Sequence, residues 1–235
     1  MQKVFIYLFT IVFVSLISIH TPSAKPEQPL ANTPVVSETE ILYNDMQLHD
    51  IVDYKAFEQA MVGYKKVEAK NKNILTVIDF SKPSTEERMC VIDMKHKKLL
   101  FSTHVAHGKN SGGNYATSFS NKNGSHKSSL GFYVTENTYN GRNGYSLILN
   151  GLEKGINDKA KERAIVIHGA DYADPDGIAS SGRLGRSFGC PALPRAINNI
   201  IINTIKGGTL LYIYADNKSY MAQSNIISRN HIASL

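Results

Sequence analysis

Two residues in the second half of the sequence, His168 and Cys190, have the chemical character of a general base and a nucleophile. His168 closes a short apolar run and precedes Gly169, whereas Cys190 directly follows Gly189. A cysteine attacks a carbonyl carbon as the thiolate, so it needs a base or a positive charge nearby. A glycine before it lets the backbone aim N–H groups at the developing oxyanion. The pair indicates cysteine-dependent acyl chemistry, although a buried structural cysteine and an unrelated histidine would also account for it.

The long spacing between His168 and Cys190 means that the intervening chain must fold back to bring them together. Three glycines within 177–185 give this segment the conformational freedom to do so. After Cys190, isoleucines at helical spacing predict a helix over 195–205. We expect this helix to lie beside the cysteine.

The composition indicates one main domain. The chain has 235 residues, of which 42% are hydrophobic, enough to bury a core. It carries 26 basic and 20 acidic residues and a formal net charge of +6, an excess that suits an anionic cell envelope. The basic residues are scattered and form no arginine-rich stripe, which argues against binding to nucleic acid.

Only two cysteines are present, Cys90 and Cys190, too few for a fold held together by disulfides. Cys90 lies in an apolar, strand-like run at 88–94, where a reduced cysteine packs as a small hydrophobic side chain. A bridge between the two would block Cys190 as a nucleophile. We therefore predict two free thiols, of which Cys90 packs in the core.

The N-terminal segment has the pattern of a secretory signal peptide at 1–24, because Lys3 precedes an apolar run over 4–19 and Ala24 offers a cleavage position. This predicts export to the periplasm or cell envelope, with no stable membrane insertion after cleavage. Retention of the segment as an N-terminal membrane anchor is the alternative. The prolines that follow predict an extended linker over 25–52.

The remaining pattern predicts a mainly β fold, α+β overall, with a sandwich-like or barrel-like core and one or two packed helices. Apolar residues at helical spacing predict an amphipathic helical segment within 53–73, followed by a catalytic domain at 74–216 and a C-terminal tail at 217–235. A region rich in Gly, Ser and Asn at 108–129 predicts a functional or mobile loop. Strand-like runs are predicted at 74–80, 88–94, 99–106, 131–135, 145–149, 163–168 and 209–214.

Two segments of the predicted catalytic domain carry a family resemblance: 167–169, which reads Ile-His-Gly, and 187–190, which reads Ser-Phe-Gly-Cys. Together with the segments at 106–109 and 128–132, they resemble the signature of the L,D-transpeptidases, cysteine enzymes that cross-link bacterial peptidoglycan. In more detail, the chain resembles the branch known as the murein L,D-transpeptidase catalytic domain family. The resemblance covers residues 74–215, and its motifs are specific only in combination.

The resemblance implies a β-rich catalytic fold that uses no cofactor and no metal. Cys190 would attack the carbonyl between a diamino acid and the D-alanine of a stem tetrapeptide, with His168 as the base. The backbone carbonyl of Gly169 would hold the imidazole in the productive tautomer, and the N–H groups of Gly189 and Cys190 would form the oxyanion hole. The implied partners are peptidoglycan stem peptides: D-alanine leaves, a thioester remains, and a stem amine attacks it.

The sequence departs from better-known family members on both sides of the cysteine. Phe188 stands where they have a histidine or a similar residue, and Ala192 where they have an arginine. We expect Arg183 and Arg186 to bind the substrate carboxylate instead, because a guanidinium matches a carboxylate, although both also suit a solvated loop. The candidate substrate-binding residues are Arg183, Arg186, Ser187 and His107, the last of which is equally compatible with a structural hydrogen-bonding role.

Three other functions stay open. Water as the acceptor would make the protein an L,D-carboxypeptidase, and loss of activity would leave a peptidoglycan-binding module. A zinc-dependent hydrolase would use His104, His107 and His168 as ligands. However, residues three apart on a strand point to opposite faces, and no fourth ligand stands at a recognisable spacing.

Overall fold

The computed structural model describes residues 36–228, and the predicted signal peptide at 1–24 lies outside the described residues. The helices are α1 (Glu38–Asp45), α2 (Tyr54–Lys66), α3 (Ile178–Ser181), α4 (Arg195–Ile205) and α5 (Lys218–Gln223). The strands are β1 (Asn71–Asp79), β2 (Met89–Asp93), β3 (Lys98–Thr103), β4 (Gly131–Gly141), β5 (Gly144–Gly151), β6 (Val166–Gly169), β7 (Ala192–Leu193) and β8 (Thr209–Tyr214). Across 36–228, none of the helices is long and apolar enough to span a bilayer.

The eight strands form one mixed sheet in the order β3-β2-β1-β8-β4-β5-β6-β7. Strand β1 runs parallel to β8 and β6 parallel to β7, and the other neighbours are antiparallel. Ala106, just after the edge strand β3, forms an isolated bridge with Ala192 in the opposite edge strand β7, so the sheet is nearly closed. The predicted mainly β, barrel-like fold with packed helices is confirmed.

Helix α2 covers the centre of this sheet and corresponds to the amphipathic helix predicted within 53–73. Strand β8 is buried along its whole length, as expected for a strand with both faces covered. Tyr212 of β8 stacks on Phe132 of β4 with ring centroids 4.2 Å apart, and its hydroxyl donates to Gln59 Oε1 at 2.7 Å. Gly63 lets α2 approach closely, because a Cβ there would lie 2.0 Å from the Phe132 ring.

The described part of the predicted linker over 25–52 is not an extended chain, and this part of the prediction is wrong. Ser37 caps helix α1 by accepting a hydrogen bond from the Glu40 N–H at 3.1 Å. Tyr43 is buried, and its hydroxyl donates to the Val52 carbonyl at 2.7 Å. The eight residues of α1 have too weak an apolar periodicity to reveal a helix, and the helix is stabilised by packing against the domain.

The predicted tail at 217–235 also contains structure in its described part. Helix α5 docks on the domain through Tyr220, whose hydroxyl donates to Glu153, as does the hydroxyl of Ser224. Glu153 is buried and accepts a further hydrogen bond from the Phe132 N–H at 2.8 Å, and burial raises the pKa of its carboxyl group. These partners are far apart in the sequence, so no local pattern indicates the docking.

Helix α4, predicted over 195–205, is present and packs beside β6. Asn198 of α4 lies against Gly169, where a Cβ would be 3.1 Å from the Asn198 side chain. The Asn198 amide also donates to the Tyr145 carbonyl of β5 at 3.2 Å. Helix α4 therefore supports the end of the strand that carries His168.

Two neighbouring isoleucines of α4 test this packing. Ile201 is fully buried, whereas the side chain of Ile200 is 56% exposed. We expect Ile201→Ala to lower the free energy of unfolding by about 2–5 kcal/mol, because it leaves a cavity in the core. Ile200→Ala is the matched control and should change that free energy by less than about 1 kcal/mol. Urea denaturation followed by circular dichroism measures both, and equal effects would show that α4 is not packed as described.

Candidate active site

His168 is buried near the end of β6, between two neighbouring strands. It lies opposite Ser146 of β5 on one side and Ala192 of β7 on the other. Its Nδ1 lies 3.1 Å from the Gly169 carbonyl oxygen, so Nδ1–H donates to that oxygen and Nε2 is left as the basic nitrogen. Burial lowers the pKa of His168, an effect that Arg195 reinforces and the Gly169 contact opposes. The imidazole is therefore neutral at pH 7 and able to accept a proton.

Cys190 is half-buried between Gly189 and β7, and its sulfur lies over the chain just before β6. The Val166 N–H donates to Sγ at 3.5 Å, and the thiol donates to the Ala164 carbonyl at 3.6 Å. Burial raises the pKa of Cys190, while the Val166 N–H and the positive charge of Arg163 act in the opposite direction. At neutral pH the group is therefore mainly a thiol, and a base must remove its proton before it can attack.

Cys190 and His168 open into the same cleft, which has a volume of about 400 Å³. Both side chains belong to the described residues, and no hydrogen bond joins them directly. Catalytic hydrogen bonds are often long in the absence of substrate, so this does not remove His168 as the base. The residues that line the cleft are Arg142, Asn143, Arg163, Ala164, Ile165, His168, Tyr172, Arg186, Ser187, Phe188 and Cys190.

The cysteine loop, residues 186–191, is held by backbone pairing with the segment 106–109. The Ser187 N–H donates to the His107 carbonyl at 2.9 Å, and the Lys109 N–H donates to the Ser187 carbonyl at 2.8 Å. Ser128, from the long loop at 108–129, donates through Oγ to the Gly189 carbonyl at 3.1 Å. These contacts fix the position of Cys190 although it lies in neither a helix nor a strand.

The family resemblance implies an oxyanion hole made of two N–H groups. One of them, the Gly189 N–H, already donates a hydrogen bond to the side chain of Ser187. Its Oγ accepts a hydrogen bond from the Gly189 N–H at 3.0 Å and donates to the Cys190 carbonyl at 2.6 Å. Ser187 also lines the cleft, as a candidate substrate-binding residue should. The N–H of Cys190 lies near its own sulfur, where it favours the thiolate.

The other predicted substrate-binding residues differ in position. Arg186 lines the cleft, but its Nη1 donates to the carbonyls of Lys109 and Gly112, at 3.1 and 2.8 Å. Arg183 does not line the cleft and donates to the carbonyl of its neighbour Leu184. The prediction that Arg183 binds substrate therefore has no support from its position.

His107 is also outside the cleft, because its side chain is completely buried. Its Nδ1 accepts a hydrogen bond from Arg88 Nη2 at 2.8 Å, and its ring packs edge-on against Phe80. Burial, together with the charge of Arg88, lowers the pKa of His107 to about 4. The position of His107 does not support the prediction that it binds substrate. It agrees with the structural hydrogen-bonding role that the sequence also allows.

The sequence pattern does not single out two arginines that line the cleft, Arg163 and Arg142. The Arg163 guanidinium donates to the carbonyls of Ser120 and Lys127, at 2.8 and 2.6 Å, and thereby ties the long loop to the cleft. Arg142 lies in the turn between β4 and β5. The Gly-Arg-Asn-Gly sequence at 141–144 indicates that turn, but only the sheet order reveals that it adjoins His168.

The histidines weighed as zinc ligands do not form a metal site. Nε2 of His104 lies 3.2 Å from the Thr85 carbonyl, and His107 is bound to Arg88. Among residues 36–228, no three His, Cys, Asp or Glu side chains are grouped closely enough to hold a metal ion.

Comparison with known proteins gives one family match. A family model described as L,D-transpeptidase catalytic domain matches residues 48–214, more than half of the chain. No curated protein matches the sequence significantly.

Similar solved structures include L,D-transpeptidases from Mycobacterium smegmatis (13% identity, TM-score 0.38, 61% of this chain and 59% of that chain) and Mycobacterium tuberculosis (12% identity, TM-score 0.39, 61% and 58%). Another is the helical cell shape determining protein from Campylobacter jejuni (15% identity, TM-score 0.44, 70% and 55%). The chain therefore spans less than two thirds of the length of each of these structures.

Alkylation with iodoacetamide distinguishes the two thiols. The prediction of two free cysteines is confirmed, and burial raises the pKa of Cys90 to about 12, so Cys90 should not react in the folded protein. We expect one adduct, on Cys190, at a rate that still increases above the usual pKa of a free cysteine because the pKa of Cys190 is raised. Mass spectrometry of the intact protein, repeated over time at several pH values between about 6 and 10, measures this alkylation rate. Cys190→Ala should give no adduct, and modification of Cys90 under native conditions would contradict the burial.

Gly189 tests the backbone geometry of the cysteine loop. Its φ is +129°, and a Cβ would lie 2.9 Å from the Lys127 carbonyl oxygen and 3.0 Å from the Ile165 side chain. We expect Gly189→Ala to lower the free energy of unfolding by about 1–3 kcal/mol through backbone strain and this clash. Gly113→Ala is the control, because no atom lies within 4 Å of the added Cβ. Equal thermal stability of the two variants would contradict the strained conformation.

Proposed function

The chain belongs to the L,D-transpeptidase catalytic domain family, and from that membership we propose that it is a cysteine-dependent peptidoglycan L,D-transpeptidase. Cys190 is the proposed nucleophile and His168 the proposed base. The observation that supports these roles is that both residues line one cleft, in which the His168 ring is oriented by the Gly169 carbonyl. The proposed substrate is a peptidoglycan stem tetrapeptide.

In the first step, the proton of the Cys190 thiol passes to His168, and the thiolate attacks the carbonyl carbon between the diamino acid and D-alanine. Because the pKa of the thiol is raised and the imidazole is neutral, the resting pair is uncharged and the ion pair forms only during attack. The protonated imidazole then gives its proton to the leaving amine. D-Alanine departs, and the acyl group stays on sulfur as a thioester.

The negative charge on the carbonyl oxygen during this step needs hydrogen-bond donors. We propose the N–H groups of Cys190 and Gly189 for this role. The Gly189 N–H can contribute once the substrate oxygen replaces Ser187 Oγ, which now accepts its hydrogen bond. The backbone geometry that Gly189 allows, with φ at +129°, makes this approach possible.

In the second step, the side-chain amine of another stem peptide attacks the thioester, and His168 accepts the amine proton. The thiol is regenerated and a new amide bond joins the two stems. If water attacks in place of the amine, the product is a shortened stem and the protein acts as an L,D-carboxypeptidase. Both outcomes share the thioester and differ only in the acceptor.

We also propose that the protein acts in the periplasm or cell envelope, where peptidoglycan is found. The charge and apolar pattern at 1–24 supports export, and membership of the family is consistent with that location.

The inactive peptidoglycan-binding module remains a second candidate. Two observations favour it: His168 and Cys190 share no hydrogen bond, and Ser187 occupies the Gly189 N–H. A binding module would retain stem peptides in the cleft without forming a thioester. The same experiment separates the two functions.

The test incubates the full protein with a disaccharide tetrapeptide and follows D-alanine release and intact mass. We expect Cys190→Ala to abolish release and the thioester adduct, because the nucleophile is gone. His168→Ala should reduce the rate by roughly 10²- to 10⁴-fold, the usual contribution of a general base. Cys90→Ala is the matched control and should keep activity if it folds.

Release of D-alanine by Cys190→Ala at the parent rate would contradict the proposal. Binding of the tetrapeptide by the parent protein, with no release and no adduct, would favour the binding module. Products analysed by mass spectrometry identify the acceptor, since cross-linked dimers indicate an amine and shortened monomers indicate water.

A further inference from the structure

The cleft of Cys190 is positively charged. Arg142, Arg163 and Arg186 contribute to its lining, and none of the described residues that line it is an aspartate or glutamate. A guanidinium group carries positive charge and only donates hydrogen bonds. Such a cleft favours a ligand with negative charge.

Two of the three guanidinium groups are held by the protein itself. Arg163 donates to the carbonyls of Ser120 and Lys127, and Arg186 donates to those of Lys109 and Gly112. These contacts order the loops around the cleft. Both terminal nitrogens of Arg163 are engaged in this way, whereas Arg186 uses only Nη1 for its two hydrogen bonds.

Arg142 differs from the other two. It is exposed in the two-residue turn between β4 and β5, and within residues 36–228 its guanidinium has no hydrogen-bond or ion-pair partner. The turn is closed by the pairing of Gly141 with Gly144. Its donors are therefore free to bind a ligand.

The sheet register explains why this turn reaches the active site. Strand β5 begins at the turn, and its third residue, Ser146, pairs with His168 on β6. The turn thus extends past the end of β6 on the side of the cleft, and both of its central residues, Arg142 and Asn143, line it. Arg142 and Asn143 therefore line the same cavity as Cys190.

We propose that Arg142 binds a carboxylate of the substrate in the Cys190 cleft and so determines which peptides the site accepts. The guanidinium fork makes two parallel hydrogen bonds to a carboxylate, which a point charge cannot do. This inference rests on the proposed function for the identity of the ligand as a stem peptide. A stem tetrapeptide has a carboxylate at its C-terminal D-alanine, and its diamino acid can carry another.

Calorimetry on the full chain in a Cys190→Ala background tests the proposal without turnover. Three peptides are compared: the free acid, the same peptide amidated at its C-terminus, and the same peptide amidated at the diamino acid. We expect Arg142→Gln to weaken binding of the free acid roughly tenfold, the effect of losing a charge-assisted hydrogen bond. Arg142→Gln should not change the affinity for the peptide in which an amide replaces the carboxylate that Arg142 binds. The unaffected peptide therefore identifies that carboxylate. Arg142→Lys should recover part of the affinity.

Lys154→Gln is the control, because Lys154 is exposed and outside the cleft, and its loss removes the same charge. It should leave all three affinities unchanged. Equal weakening of all three peptides by Arg142→Gln, no weakening, or no binding of the free acid would overturn the proposal. Turnover by the parent protein is measured separately, so peptide binding that depends on Arg142 without D-alanine release would contradict the proposed function and leave this inference standing.

Discussion

The position of Cys190 depends on backbone hydrogen bonds between two segments that are neither helix nor long strand. The loop that carries the cysteine pairs with 106–109 through the backbone of Ser187. The Ser128 hydroxyl donates a further hydrogen bond to the Gly189 carbonyl. The segment at 106–109 lies shortly after the edge strand β3, and β7 begins shortly after the cysteine. The pairing of β7 with β6, in which Ala192 lies opposite His168, therefore brings the cysteine loop to the strand that carries the imidazole, and the bridge between Ala106 and Ala192 joins this loop to the opposite edge of the sheet.

Burial and specific contacts have opposite effects on the pKa values of Cys190 and His168. Burial raises the pKa of Cys190 and lowers that of His168, so it favours the neutral form of both groups. Arg163 and the Val166 N–H stabilise the thiolate, and the Gly169 carbonyl stabilises the imidazolium. The neutral forms are therefore the resting state of the two groups.

Much of the fold follows from local pattern. Strands with continuous apolar runs, such as β8, and helices with a clear apolar face, such as α2 and α4, were predicted close to their observed bounds. Helices α1 and α5 were not, because they are stabilised by tertiary packing that includes a buried tyrosine in each, Tyr43 and Tyr220. A short helix held by tertiary contacts carries little periodicity in its own sequence.

The candidate site divides in the same way. His168 and Cys190 stand out because their neighbours form recognisable motifs, and Nδ1 of His168 lies 3.1 Å from the Gly169 carbonyl oxygen. The cleft arginines could not be ranked from sequence, because Arg163 and Arg142 approach the cysteine only through loop packing and sheet order. His107 has a motif-like context but is buried with Arg88, which no local feature of its segment indicates.

The burial of Cys90 in the core affects the redox chemistry of Cys190. Cys90 is 2% exposed within β2, so it is not available to attack an oxidised Cys190, and the chain has no third cysteine. A sulfenic acid formed on Cys190 would have no resolving thiol in the same molecule. Its recovery would depend on a reductant supplied by the surroundings, and without one further oxidation would inactivate the thiol permanently.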